Sequence, residues 1–296
     1  MIPLIIVEGP TASGKTDLAV KIAKRLDGEV VSADSMQVYK YMDIGSAKPS
    51  KEEQCGVPHH MFDVVHPTKN FSLADYLEMA HSVIKDIHSR GKRVIVAGGT
   101  GLYIDFLKDN LQLSNEEEDN SVREKLEEFA EKNGIDALHA RLAAVDEISA
   151  AKIHPNNVKR VIRALEVYEK TGIKMSEQVE ESKKGEKIYD YKEYGIMYDR
   201  EVLYDRINRR VDVMFDMGLV AEVEKLVQMG CTRDNTSMQG IGYKEVMDYL
   251  EGKTSLEETK EIIRQGTRRY AKRQMTWFRK SNITWLLPGR MPDLDK

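Results

Sequence analysis

The segment Gly9-Pro10-Thr11-Ala12-Ser13-Gly14-Lys15-Thr16 sets two glycines, a lysine and a hydroxyl in the order Gly-x-x-x-x-Gly-Lys-Thr. Glycines let successive backbone N–H groups turn toward one oxyanion, the lysine neutralises phosphate, and the threonine hydroxyl can ligate Mg²⁺. An apolar run, Leu4-Ile5-Ile6-Val7, precedes the loop and a helical pattern follows it, which is the setting a phosphate loop needs. Such a loop implies a phosphate or diphosphate site with magnesium and leaves open whether a nucleoside triphosphate is cleaved. Asp34 and Thr100 stand at two further strand ends, in Ser32-Ala33-Asp34-Ser35-Met36-Gln37 and Gly98-Gly99-Thr100-Gly101. No acid closes the third strand, Val94-Ile95-Val96-Ala97, where a phosphate-loop hydrolase carries its magnesium-holding carboxylate. Asp34 is therefore the carboxylate placed to act as a metal ligand or as a base toward an acceptor, and its spacing leaves both roles open.

These residues need elements that bring them together. Leu4–Val7 reads as a strand buried on both faces, followed by a helix from Lys15 to Leu26 and a second strand over Glu29–Ser32. Ser72 reads as the N-cap of a helix running to Ser89, Gly91 closes it, and Arg93–Ala97 is the third strand. This alternation predicts a doubly wound parallel sheet that binds its ligand at the carboxyl ends of the strands. From Ser114 to Lys187 the chain turns charged and helical, opening with Glu116-Glu117-Glu118-Asp119, before strands resume at Tyr194–Tyr198 and Trp285–Leu287. Two long helical patterns, Leu203–Met229 with a break at Gly218 and Leu256–Lys280, complete the pattern. The expected fold is α/β: a P-loop NTPase-like parallel sheet flanked by helices over 1–113 and 188–296, with an inserted all-helical subdomain over 114–187.

Charge narrows the partner. Lys and Arg total 45 against 49 Asp and Glu, a net charge of −4, which excludes a wholesale polycationic nucleic-acid binder but not a local basic face. Between Ile262 and Lys280 no acid occurs, while Arg264, Arg268, Arg269, Lys272, Arg273, Arg279 and Lys280 do. Lys159, Arg160 and Arg163 make a second basic cluster, and both are footprints of the kind phosphate backbones require. Trp277 and Phe278, within the basic stretch, are expected in the core, as are Met214, Met217, Met229, Met238 and Met247. His59 and His60 read as loop-packing residues. Two cysteines without metal-ligand spacing exclude a zinc site and a disulfide framework, and no run reaches the roughly 18 apolar residues of a membrane span. A cytoplasmic protein with no membrane contact is expected.

Taken together, these words resemble the tRNA dimethylallyltransferase (tRNA isopentenyltransferase) family, bacterial type. Besides the phosphate loop, the matching segments are Ser32–Tyr39, Met42–Pro49, Val57–His60, Gly98–Tyr103, Arg163–Val167, Gly240–Glu245 and Thr267–Phe278, colinear over nearly the whole chain. The resemblance implies transfer of a dimethylallyl group from its diphosphate to N6 of the adenosine 3′-adjacent to the anticodon, with Mg²⁺ as cofactor. By the same resemblance, Gly9, Pro10, Thr11, Ala12, Ser13, Gly14, Lys15 and Thr16 hold the diphosphate, Thr16 holds the metal, and Arg200 reaches the same phosphates. Asp34 is the implied general base and Thr100 a hydrogen-bonding partner at the reaction centre, while Ser35, Met36 and Gln37 meet the adenine. The anticodon stem-loop is expected on Arg123, Lys159, Arg160, Val161, Ile162 and Arg163 of the insert and on Arg268, Lys272 and Arg273. A monomer is expected. A small-molecule or nucleotide kinase built on the same loop is the alternative, and the basic C-terminal stretch is what a small acceptor would not require.

Overall fold

The computed structural model describes residues 1–111, 121–182 and 185–294, so the acidic run at 116–119 lies outside the described residues. The chain divides into two compact units, Met1–Lys108 with Lys187–Lys296, and Asp109–Glu186. The helical unit thus begins at Asp109 rather than at Ser114.

In chain order the first unit contributes β1 (Ile2–Glu8), α1 (Lys15–Leu26), β2 (Gly28–Ala33), α2 (Lys51–Gln54), β3 (His59–His60), α3 (Leu73–Ser89), β4 (Arg93–Gly98) and α4 (Gly101–Lys108). The second unit consists of α5 (Ser121–Asn133), α6 (Ile135–Val145), α7 (Glu147–Lys152), α8 (Val158–Thr171) and α9 (Met175–Ser182). The first unit then resumes with β5 (Tyr189–Ile196), α10 (Arg200–Asp216), α11 (Leu219–Gln228), α12 (Tyr243–Leu250), α13 (Leu256–Phe278) and β6 (Thr284–Leu286). The six strands form one sheet in the order β3-β2-β4-β1-β5-β6, every pair parallel.

Alternation along β1 explains the layers. Leu4 and Ile6 face a core shared with Tyr76, Leu77, Ala80 and Ile84 of α3 and Ile104 and Leu107 of α4. Ile5 and Val7 face the opposite core, built with Leu18, Ala19, Ile22 and Ala23 of α1. Ser72 caps α3 as its sequence predicts, accepting the Asp75 N–H while the Asp75 carboxylate takes the Ser72 N–H at 2.7 Å. A third core joins Val38, Tyr39 and Met42 to Leu219, Val223, Leu226, Tyr243 and Val246. The helical unit has its own core around Leu126, Leu138, Leu142, Val161, Ile162 and Leu165. Among the described residues, no helix is long and apolar enough to cross a membrane.

Parallel pairing delivers the carboxyl ends of β1, β2 and β4 to one edge. There β2 and β4 run so close that a Cβ on Gly98 would stand 2.0 Å from the Ala33 carbonyl oxygen. Gly98→Ala is expected to cost about 1–3 kcal/mol, the penalty of overpacking a closed site, measurable as a lowered denaturant midpoint at unchanged slope.

Candidate active site at the carboxyl edge of the sheet

Beyond β1 the chain turns through Gly9 (φ 152°), Ala12 (φ 62°) and Gly14 (φ 83°), the last being the N-cap of α1. A left-handed N-cap without a side chain leaves the first N–H groups of α1 open toward the loop. Lys15 folds back so that Nζ donates to the Pro10 carbonyl at 3.2 Å. Burial draws its ammonium down to about 8, partly countered by the charge of Asp34 and reinforced by Arg210, so it remains largely protonated at pH 7. Thr11, Ala12, Gly14, Lys15 and Thr16 line a cleft of about 890 Å³, all of whose walls belong to the first unit. Gly9, Pro10 and Ser13 are buried and do not line it, and the Ser13 Oγ has no hydrogen-bond partner among the described residues.

Two arginines of α10 join this loop. Arg206 Nε donates to the Ala12 carbonyl at 2.8 Å, and Arg210 Nη1 approaches Thr11 Oγ1 at 3.5 Å. Four residues apart, they share one helix face. Burial lowers the Arg210 pKa while Asp34 raises it, and a guanidinium keeps its charge regardless. Arg200, the arginine expected at the phosphates, lies instead over the Tyr204 ring, 5.1 Å from its centroid, and is not among the cleft residues. At 1.5 Å rise per residue it sits about 15 Å along the helix axis from Arg210. An Arg206-x-x-x-Arg210 spacing in the sequence was the available signal for the pair that does reach the loop.

Asp34 follows β2. Its Oδ1 accepts the N–H groups of Met36 at 2.9 Å and Gln37 at 3.4 Å, and its Oδ2 takes no hydrogen bond from the described residues. Asp34, Ser35, Met36 and Gln37 all line the cleft. Thr100 does not; it stands behind them, its Oγ1 accepting the Ser35 N–H at 3.0 Å. The Gln37 amide is engaged within the protein, accepting from Ser32 Oγ and donating to the carbonyls of Ser46 and Ala47 at 3.3 and 3.2 Å. Those carbonyls belong to a cleft-lining loop that Glu222 holds by accepting three N–H groups, from Asp43, Ile44 and Gly45, at 2.7–3.0 Å. Tyr243 completes the clamp: its hydroxyl donates to Glu222 at 2.8 Å and accepts the Ser46 N–H at 3.1 Å. Gly45 leaves room for that ring, since a Cβ there would lie 2.6 Å from Tyr243. Sequence spacing gives no warning of this clamp, whose parts lie some two hundred residues apart.

From α13 come Tyr270 and Gln274. Burial and the charge of Asp34 hold the Tyr270 hydroxyl well above its ordinary range, hence neutral. Gln274 accepts the Thr11 N–H at 2.9 Å and donates to the Gly99 carbonyl at 2.8 Å. Farther along the same helix, Phe278 is buried and Trp277 donates to Asp105 at 2.9 Å, as core residues should.

Some of the basic residues are tied to acids or amides within the protein and others stand exposed. Arg264 bonds Asp212 and Glu261, and Arg268 bonds Asn208 at 2.7 Å and Glu261 at 2.9 Å, so Arg268 serves helix packing. Lys272 and Arg273 are exposed, and Arg273 lines the cleft. In the helical unit Lys159 and Arg160 are exposed, but Val161 and Ile162 are 0% and 4% accessible and fill its core, which removes them from any tRNA surface. Arg123 and Arg163 both bond the buried Glu166, at 2.8 and 3.3 Å. His59 and His60 form the edge strand β3 rather than a loop; His59 stacks on Phe62 and His60 bonds Glu29 at 2.7 Å, away from the cleft. Met238 and Met247 are buried, Met214 packs against the same core while also lining the cleft, and Met217 lines the cleft exposed.

Against known proteins, residues 37–281 match the IPP transferase family. A tRNA dimethylallyltransferase of Acetivibrio thermocellus is 54% identical over 284 residues, 96% of this chain and 91% of that protein. A full-length tRNA isopentenylpyrophosphate transferase of Bacillus halodurans superposes with a TM-score of 0.72 at 46% identity, covering 97% of this chain and 90% of the other. A eukaryotic dimethylallyltransferase acting on tRNA superposes with a TM-score of 0.81 at 33% identity, covering 97% of this chain and 74% of the other. With a family match across most of its length and relatives this similar over nearly all of it, the chain belongs to the IPP transferase family.

Proposed function

We propose that the protein transfers a dimethylallyl group from dimethylallyl diphosphate to N6 of the adenosine 3′-adjacent to the anticodon of tRNA. The observation that carries this reading is one cleft lined both by the phosphate loop with its cations and by Asp34, whose Oδ2 has no partner among the described residues. The names of the similar proteins support the donor and the tRNA acceptor.

Chemically, the C1–O bond to diphosphate breaks as N6 bonds C1, and the N6 proton leaves to Asp34. An aromatic amine is a weak nucleophile, so a carboxylate in hydrogen-bond reach contributes about 10²–10⁴-fold. Lys15, Arg206, Arg210 and the open N–H groups of α1 would receive the charge that collects on the leaving diphosphate. A prenyltransferase that uses a diphosphate generally needs a divalent metal. Among the described residues no group of three or more His, Cys, Asp or Glu could cage one, and the donors at hand are oxygens of Thr16 and Asp34. That set suits Mg²⁺, which binds through one or two protein oxygens plus phosphates and water. Thr16 would hold it against the diphosphate, where its charge neutralises the leaving group.

Adenine must leave its stack to reach the cleft, at a cost of a few kcal/mol. Ser35 lines the cleft and its Oγ, which accepts a long 3.4 Å bond from Thr100 Oγ1, would meet the adenine edge, while Met36 and Gln37 form the wall. Exposed Lys159 and Arg160 on the helical unit, and Lys272 and Arg273 on α13, are the cations proposed to bind the anticodon stem-loop backbone. The reading places the protein in the cytoplasm with its tRNA and takes it to act as a monomer.

Incubation with tRNA, dimethylallyl diphosphate and Mg²⁺ should yield isopentenyladenosine by nucleoside mass spectrometry; its absence alongside phosphoryl transfer from ATP would favour a kinase. Asp34→Asn keeps an acceptor for the Met36 N–H and removes the base, so turnover should fall by about 10²–10⁴-fold with tRNA affinity nearly unchanged. Replacing Lys159 and Arg160 by Ala should lower the salt dependence of tRNA binding by about one unit of slope for each phosphate no longer neutralised, read from titrations at several salt concentrations. Because only protonated Lys15 attracts an anion, pyrophosphate affinity should decline as pH rises past about 8. Calorimetry across that range should show a shallower decline in Lys15→Met.

A further inference from the structure

Phosphate loop and base sit on different strands, and transfer requires the allylic carbon and the attacking nitrogen to meet at bonding approach. What sets that spacing is visible on α13. Gln274 is 6% accessible, and its amide is the bridge between Thr11 in the phosphate loop and Gly99 in the loop after β4. From Gly99 the connection continues: Thr100 N–H donates to the Ala33 carbonyl at 3.1 Å, and Thr100 Oγ1 accepts the Ser35 N–H beside Asp34. The bridge is tightly fitted. A Cβ on Gly99 would lie 2.5 Å from Gln274 Nε2 and 3.5 Å from both the Gly9 carbonyl oxygen and Lys15 Cε.

The bridge needs an acceptor facing Thr11 and a donor facing Gly99. Of the side chains of this length only an amide offers both; a carboxylate would set oxygen against the Gly99 carbonyl, and a thioether would leave both backbone groups unpaired. Its own base is firm, because Ala271 and Phe278 on either side are fully buried and Trp277 is tied to Asp105.

We infer that Gln274 is the positioning residue that sets the distance between the diphosphate and the acceptor nitrogen, and so couples departure of the one to attack by the other. This assignment rests on the prenyl-transfer reading. With the spacing lost, the C1–O bond can still break, but water takes C1, loses a proton to solvent, and yields dimethylallyl alcohol and diphosphate.

The test compares wild type with Gln274→Glu and Gln274→Met, each checked by thermal melting, in reactions with an anticodon stem-loop, dimethylallyl diphosphate and Mg²⁺. Prenylated RNA and dimethylallyl alcohol are measured together, and pyrophosphate binding separately. Expected is a fall in kcat for transfer of about tenfold to a hundredfold, the scale of a misplacement near 1 Å, with alcohol rising relative to prenylated RNA. Pyrophosphate binding should stay within about threefold, because Lys15, Arg206 and Arg210 remain. Transfer and alcohol formation falling in equal proportion, or an unchanged ratio in both variants, would make Gln274 a structural residue only and overturn the assignment. A wild-type chain that prenylates no RNA would instead sink the functional reading, and the assignment with it.

Discussion

At one point two backbones of this protein leave no room for a side chain between them. Gly98, ending β4, lies against the Ala33 carbonyl that ends β2, and the Thr100 N–H donates to the same oxygen. Any side chain at Gly98 would push the strands apart there. Because that closure holds, the residues after β2 and those after β4 emerge as one surface, Ser35 hydrogen-bonded to Thr100 and Asp34 beside them. Asp34 owes its position to a missing Cβ as much as to any contact it makes itself.

Around that closure the molecule is arranged by burial. A parallel sheet covered on both faces needs helices on each side, and its connections have only the two edges on which to carry polar chemistry. Glu8 shows the cost of polarity just inside that edge. Burial, with the nearby charges of Glu193 and Asp105, pushes its carboxyl well above the ordinary carboxylate range directly beneath the phosphate loop, which favours the uncharged form. An ionised carboxylate there would oppose the anion proposed for the loop. Lys108, paired with Glu193, supplies the cluster's positive charge.

On the cleft side, long-range anchors fix what local propensity cannot. Glu222 and Tyr243 hold the loop around Gly45, and Gln274 ties the phosphate loop to Gly99. Such anchors explain why words as distant as Met42–Pro49 and Gly240–Glu245 read as parts of one pattern: each supplies half of a contact.

Legible in the sequence were features written in neighbouring residues. The buried strand before Gly9, the Ser72 cap, the Gly218 break and the glycine turn from Gly9 to Gly14 depend on spacing within a few positions, so their residues state their own local conformation. Asp34 and Thr100 could be placed at one edge because parallel topology leaves no other. Illegible were roles decided by which face of a helix meets which neighbour. Val161 and Ile162 sit between Arg160 and Arg163, yet helical rotation turns them into the core. Arg123, Arg163 and Arg268 count as basic residues in any tally, but folding presents them with Glu166, Asn208 and Glu261. Arg200 and Arg210 differ by ten positions in sequence, and only the docking of α10 against the loop decides that Arg210 meets Thr11. Local chemistry is thus set by the order of residues; partnership between distant residues is set by packing, because burial fixes the direction in which each side chain may point.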